Sequence, residues 1–389
     1  MAKKIFVGID IGSFETRVII FERTKEGVPL FLGAGTSLTR GVRHGFIVNA
    51  EQCKLSLQKA ITQTETETGI RIKKASLSIG GAHLSSVIAV GSTIVSKADN
   101  EITERDIENA IAEAEKEIPL TNQKLLDALP IQYKVDGKIS FGSPLGMKGI
   151  KLEVKTLFCL AQSKHIDALM SICSDIGIDI VDVIPAVINE SHLVVNEQQR
   201  IAGTLIMNIG AESTTLGVYE NSSLVSLTSF PLGGRDITND IALVLKISLE
   251  EAEGIKIGSV ITGIPKKKID DIITARLYDI FEAAELQLKK IRRSGLLPAG
   301  VILTGGTSYL PGLDDYAKNF LKIPARVAVH EVIVHNTKMN TKHLAWLPLY
   351  GLLAQPKRAH AYETYDSNFG LSVKKIKEWF VSFVKQLLP

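Results

Sequence analysis

The chain has 389 residues, 45% of them hydrophobic and 22% charged, with a formal net charge of +3. A chain of this length outgrows a single hydrophobic core, so two lobes or more are expected, and the composition excludes a disordered protein. The near-balanced charge gives no footprint for nucleic acid, and Cys53, Cys159 and Cys173 form no CxxC pair, which excludes a disulfide framework or a cysteine zinc site.

The N-terminus reads MAKKIFVGIDIGS, and its apolar run ends at Asp10, too early for a signal-peptide core. No run approaches the roughly 20 apolar residues that cross a bilayer, so the body is expected in the cytoplasm. From Ile5 to Phe21 the pattern is β-rich, glycine, β-rich, which predicts two strands joined by a tight turn at Gly12-Ser13. Between about Ala82 and Ser163, strand patterns flank a helix expected over Thr103 to Glu117, with Thr103 at its N-cap and Asp106 at N3. Composition alone makes this an α+β module.

A second copy of the first pattern follows at Leu205 to Tyr219, where Asn208 answers Asp10, Gly210 answers Gly12 and Thr214 answers Thr16. The spacing is too long for a solenoid repeat and predicts two similar domains. A glycine turn with a neighbouring hydroxyl lets backbone N–H groups approach an anion, and a carboxylate ending the preceding strand can hold Mg2+ through water. Next, PLGGRDITNDIALVLKISLEEAEGIK (231–256) places Gly233-Gly234 before two helical segments, the second carrying Glu253 and Lys256 on one face. Taken alone, that pair reads as an ordinary surface ion pair. KKK (266–268) precedes a helix expected to begin near Ile269 and to contain Arg276. A buried strand, Val301-Ile302-Leu303, then runs into Gly305-Gly306, where missing side chains leave room for a flat base or ribose.

The end of the chain has a pattern of its own. Residues 355–369 read as a polar linker. On a wheel of about 100° per residue, Val373, Ile376, Trp379, Phe380, Phe383, Val384 and Leu387 share one face, opposite Lys374 and Lys375. A basic polar face with an aromatic-rich apolar face is the pattern of a helix lying in an anionic membrane interface. Each lysine near such a surface contributes about 1 kcal/mol, so binding is reversible for one tail and stronger for an array.

Two phosphate-type hairpins, a Glu-x-x-Lys helix and a late Gly-Gly strand, in that order, resemble the actin, DnaK-type chaperone and sugar-kinase superfamily. Within it, GVRHGFIVNAEQ (41–52), LSIGGAHLSS (77–86), EITERDIENAI (101–111), SPLGMKGIKLEV (143–154), LGGRDITNDIA (232–242) and LTGGTSYLPGL (303–313) resemble the FtsA family along essentially the whole chain. That resemblance implies an actin-like, ribonuclease-H-like duplicated α/β fold of two lobes and four subdomains. Subdomain IA would comprise 1–81, 164–197 and 336–354, and the FtsA-type α+β insert, IC, 82–163. Subdomain IIA would comprise 198–231 and 298–335, and IIB 232–297, ahead of the linker 355–369 and the membrane helix 370–389.

The resemblance also implies ATP or ADP with Mg2+. Phosphates would be held by Asp10, Gly12, Ser13, Phe14, Arg17, Asn208, Gly210, Ala211, Ser213 and Thr214, with Mg2+ on Asp10 through water. The adenosine would lie against Gly233, Gly234, Glu253, Lys256, Gly305 and Gly306. It further implies self-assembly into filaments, capture of the C-terminal tail of the tubulin-like protein FtsZ by Arg276 and Lys268, and contact of the insert with later division proteins at the membrane. The second hairpin departs from the family's D-I-G-G-G-T-T-D pattern: Asn208 replaces an acid, Glu212 a glycine and Thr215 an acid. In the first, Glu15 stands where many relatives carry lysine, and Arg17 is expected to supply the charge. An amide cannot act as a carboxylate base, so hydrolysis is expected to be slow or absent. Glu212 is expected to repel a polyphosphate unless it turns outward. Competing readings are a pilus-assembly-type actin-like ATP-binding protein and a small-molecule kinase of the same superfamily.

Overall fold

The computed structural model describes residues 4–23, 29–260, 263–329, 332–334, 337–339 and 344–354. The linker 355–369 and the amphipathic stretch 370–389 lie outside the described residues.

The first hairpin forms as its alternation demands: Lys4–Ile11 pairs antiparallel with Glu15–Arg23, which pairs in turn with Pro29–Leu38. On the other side Lys4–Ile11 lies parallel to Lys74–Ile79, and that strand parallel to Asp179–Pro185. The second hairpin, Thr204–Ile209 with Thr214–Glu220, builds a sheet of the same design. Ser223–Phe230 extends it antiparallel, while Val301–Thr304 and Ala325–Val327 extend it in parallel on the opposite side. Both sheets have five strands in equivalent spatial order, so the duplication read from two hairpins extends to two whole sheets.

Each sheet has its own core. Ile9, Val18, Leu57 and Leu77 anchor the first, and Met207, Leu216, Leu277 and Phe281 the second. A third cluster, including Ile19, Val187, Ile206 and Leu349, joins the sheets through the short helices Ala186–Val194 and Leu347–Leu353. Fully burying such a side chain contributes about 1.5–3 kcal/mol, so the apolar contact holds the two sheets as a pair. The two helices touch at Gly351, where a Cβ would lie 2.0 Å from the carbonyl oxygen of Asn189.

The segment inserted between two strands of the first sheet, Lys74–Ile79 and Asp179–Pro185, is an antiparallel sheet in the order Leu84–Ile94, Lys151–Gln162, Gln123–Val135, Lys138–Ser140. Its helix spans Glu104–Lys116, with Thr103 at the N-cap and Asp106 at N3 as expected, and the two side chains cap each other's backbone reciprocally. The helix backbone comes so close that a Cβ on Gly91 would sit 1.9 Å from the oxygen of Ala110. Two serines tie this module to the edge of the second sheet. Ser86 Oγ donates to the Leu227 oxygen (2.9 Å) and accepts from the Leu227 nitrogen (2.8 Å); Ser229 Oγ donates to the Leu84 oxygen (2.8 Å) and accepts from the Leu84 nitrogen (3.0 Å).

One helix boundary differs from expectation. The helix expected near Ile269 begins at Lys266 and runs to Lys290. Pro265 at its N-cap, with φ −55°, starts the helical turn early and brings all three lysines into it, despite their unfavourable interaction with a helix N-terminus.

Candidate functional site

The two hairpin turns are built alike. Gly12 N–H donates to the Glu15 oxygen (3.2 Å), and Gly210 N–H to the Ser213 oxygen (2.9 Å). In register, Asp10 faces Arg17 and Asn208 faces Thr215. Thr16 and Thr214 are both fully buried; Thr16 shares a hydrogen bond with Thr39 and Thr214 donates to the Leu232 oxygen.

In the first hairpin Asp10 is nearly buried, and burial raises its carboxyl to about 6 against the opposing pull of Arg17. Arg17 lies 3.1 Å from Asp10 and 2.9 Å from Glu15, with its guanidinium above the Trp346 ring. Its charge is shared between two carboxylates of its own hairpin. Phe14 stands at the turn apex, 49% exposed, and Ser13 Oγ accepts from Gly45 N–H (3.1 Å).

The second hairpin meets a different set of neighbours. Asn208 Nδ2 donates to Glu190 Oε1, and Thr304 Oγ1 to Glu190 Oε2 (2.6 Å). Glu190 is fully buried, and burial, with Asp10 nearby adding repulsion, raises its carboxyl to about 8 despite those two hydrogen bonds. The sequence reading missed Glu190. Its signal was a single acid in the apolar helix AVINESHLV, a residue type seldom buried without a partner.

Glu212 does not turn outward. Its side chain is 3% exposed; Oε1 accepts from Arg43 Nη1 (3.0 Å) and Arg235 Nη1 (2.7 Å), and Oε2 from His44 N–H (2.8 Å). The expected repulsion is thus answered by two guanidinium groups, one from each lobe. Arg43, His44 and Arg235 were also missed, though each stands one or two residues from a glycine of the quoted motifs.

The glycine loops converge on the second turn. Gly234 N–H donates to the Gly210 oxygen (2.9 Å), Arg235 N–H to the Ala211 oxygen (2.6 Å), and Thr307 Oγ1 to the Gly210 oxygen (3.0 Å). A Cβ on Gly233 would lie 2.6 Å from the Gly210 oxygen, and one on Gly305, whose φ is +85°, 2.6 Å from Asn208 Oδ1. Gly306 instead faces open space. Lys256 is no surface partner of Glu253: its Nζ donates to Glu253 (2.7 Å), Thr238 Oγ1 (2.9 Å) and the Gly234 oxygen (3.0 Å), and burial lowers its pKa. Ala211, Ser213, Gly233, Gly234, Glu253, Lys256, Gly305 and Gly306 therefore surround one end of the second hairpin, while Asp10, Gly12, Ser13, Phe14 and Arg17 form the other wall.

Arg276 and Lys268 lie apart from this cleft, on the helix Lys266–Lys290. Arg276 makes a two-pronged pair with Asp240 (2.6 and 2.9 Å) and also meets Asp279 (3.0 Å). Lys268 is exposed. One helical turn beyond Asp240, Leu243 is 78% and Val244 49% exposed, so a charged pair adjoins an apolar patch. Val373, Ile376, Trp379, Phe380, Phe383, Val384, Leu387, Lys374 and Lys375 lie outside the described residues.

Two family models match the chain: "Cell division protein FtsA" over residues 205–345, and "SHS2 domain inserted in FTSA" over 81–159. Among curated proteins it is similar to the cell division protein FtsA of Pseudomonas aeruginosa, at 28% identity over 84% of this chain and 83% of that protein. The FtsA of Bacillus subtilis is 28% identical over 84% and 78%, and that of Neisseria meningitidis 25% identical over 95% and 96%. Among solved structures, a PilM–PilN type IV pilus biogenesis complex matches with a TM-score of 0.64 at 18% identity, over 90% of this chain and 97% of that one. MreB5 of Spiroplasma citri bound to ADP matches with 0.51 at 12% identity, over 90% and 94%. The structural likenesses establish an actin-like fold, and with the two matching models and the relatives that share their name, the chain belongs to the FtsA family of actin-like cell division proteins.

Proposed function

We propose that this chain binds an adenine nucleotide between its two hairpins, polymerises, and tethers FtsZ filaments to the inner face of the cell membrane through residues 370–389. The observation that carries the nucleotide reading is the pair of like-built turns, Gly12–Glu15 and Gly210–Ser213, flanking Asp10 and Glu190. The residues fit the ligand. Gly306 opens onto free space for the adenosine, and the buried Asp10 carboxyl, raised to about 6, gains from a nearby cation. Asp10 would hold Mg2+ through water, with Ser13, Phe14, Gly12, Arg17, Gly210, Ala211, Ser213, Thr214 and Asn208 around the phosphates. Bound Mg2+ supplies charge neutralisation for the phosphates.

Hydrolysis is slow in this reading. Asn208 is no base, and Glu190, raised to about 8, is mostly protonated near neutral pH with both oxygens already accepting hydrogen bonds. The exposed Leu243 and Val244 beside the Arg276–Asp240 pair suit a short acidic and apolar peptide, here the FtsZ tail. The subdomain boundaries given above, self-assembly, and contact of the insert with later division proteins belong to the same proposal. The test is recruitment of FtsZ to anionic vesicles by the purified protein with ATP. Recruitment that disappears on deleting 370–389 is the expected result; recruitment independent of that segment, or none by the full chain, overturns the tether.

A further inference from the structure

The loop 41–49 lies across the cleft as a strap between the two turns. It is closed on itself by Val48 and Asn49 N–H groups donating to the Gly41 oxygen (2.9 and 3.1 Å). It is pinned to the first lobe by Ala82 N–H on the His44 oxygen (2.9 Å), and by Gly45, whose φ is +82° and whose Cβ would lie 2.3 Å from Gly81 Cα. At its tip, Gly45 N–H donates to Ser13 of the first turn, and His44 N–H to Glu212 of the second. His44 Nδ1 lies 2.8 Å from the Glu212 carbonyl oxygen, so Nδ1 carries a hydrogen and donates it there.

Glu212 is the centre of this bridge. Its carboxylate is buried and collects Arg43 and His44 N–H from one lobe and Arg235 from the other. Two guanidinium groups and a backbone N–H are a donor set suited to phosphate oxygens, and here a side chain of the protein fills it. The equivalent position in the first turn is Phe14, which points to solvent. A buried carboxylate with all its donors in place holds the lobes together without any ligand. It also puts a negative charge where a terminal phosphate would otherwise make the same bridge.

We propose that Glu212 is a specificity-determining residue: its carboxylate takes the place of an anionic ligand group in joining the lobes, so that the cleft closes without a terminal phosphate and binds nucleoside di- and triphosphates alike. This rests on the nucleotide reading of the cleft. The side chains of Arg43 and Arg235 remain 61% and 37% exposed, so their outer faces are open to solvent and the bridge can exchange partners.

The experiment uses the full chain as wild type, Glu212→Gly and Glu212→Gln. Calorimetry gives the affinities for ATP and for ADP, and hydrogen exchange follows the strap amides at 43–45, with the helix Ala50–Thr68 as a folding control. Loss of charged hydrogen bonds should speed strap exchange in ligand-free Glu212→Gly by about tenfold or more. Wild type should bind ATP and ADP within about threefold of each other, and Glu212→Gly should favour ATP by about tenfold, with Glu212→Gln between them. Strap exchange unchanged in both variants, or an ATP-to-ADP ratio that no variant moves, overturns the proposal while leaving nucleotide binding intact. Binding of neither nucleotide by wild type overturns the nucleotide reading, and the specificity role with it.

Discussion

The two hairpins have one backbone design and opposite dependencies. The first keeps its ion pairs within itself: Arg17 pairs with Asp10 on the facing strand and with Glu15 on its own, its outside hydrogen bonds (Ser13 with Gly45, Thr16 with Thr39) come from its own lobe, and its apex residue, Phe14, faces solvent. The second is held from without. Asn208 leans on Glu190 from a helix, Glu212 on Arg43 and His44 from the other lobe, and the turn carbonyls on Gly234, Arg235 and Thr307. A hairpin that binds itself can keep its shape while the cleft opens. One whose polar groups are satisfied by four other segments registers any movement of them, because a buried group left unpaired is costly. The second hairpin is therefore the sensor of the pair.

The sharpest way to break this comparison is a methyl group. Gly305→Ala adds a Cβ 2.6 Å from Asn208 Oδ1 and from the Ile209 oxygen at a φ of +85°. It should cost about 3 kcal/mol in urea denaturation. Gly12→Ala, in the self-held turn, adds a Cβ 3.0 Å from the Glu15 oxygen and should cost about 1 kcal/mol or less. Equal costs would remove the asymmetry.

Glu190 gives the next largest effect. Burial raises its carboxyl from the ordinary 4.5 to about 8 in the folded chain, so between those limits the folded state binds more protons than the unfolded one. Stability should fall as pH rises through that window. Glu190→Gln abolishes this slope and should be more stable than wild type at pH 9 by about 2 kcal/mol, read from thermal melts across pH. Asp10 faces the same cleft and titrates at about 6, so the residual slope of the variant below pH 6 reports Asp10.

The smallest effect is expected at Arg17. Arg17→Met removes the cation that lowers the Asp10 carboxyl, which should then titrate above 6 by NMR. The loss of stability should be about 1 kcal/mol at pH 8 and smaller at pH 5, where Asp10 is already protonated. An unmoved Asp10 would show that the first hairpin is not held by its own ion pairs.

Much of the cleft was legible beforehand because its glycines and hydroxyls sit at fixed spacings within short segments. The groups that were missed share one property. Glu190 meets Asn208 across 18 positions and Thr304 across 114, and Glu212 meets Arg43 across 169. No local pattern marks a partner at such separations. For the same reason the Glu253–Lys256 spacing, taken alone, reads as a surface ion pair, whereas Lys256 Nζ also reaches Thr238 and the Gly234 oxygen.

The duplicated hairpins, the capped helix of the insert and the glycines of each turn were readable from residue order alone, since these follow from alternation, capping chemistry and backbone freedom within a few residues. So were the amphipathic pattern of 373–388 and the family resemblance. Which charges face each other was settled by folding. The fold placed Asn208 on a protonatable Glu190, and it converted Glu212 from a repulsive intruder into the clasp of the two lobes. Burial and partnering are set by the packing of distant segments, and in the interior they outweigh the intrinsic character of the side chain.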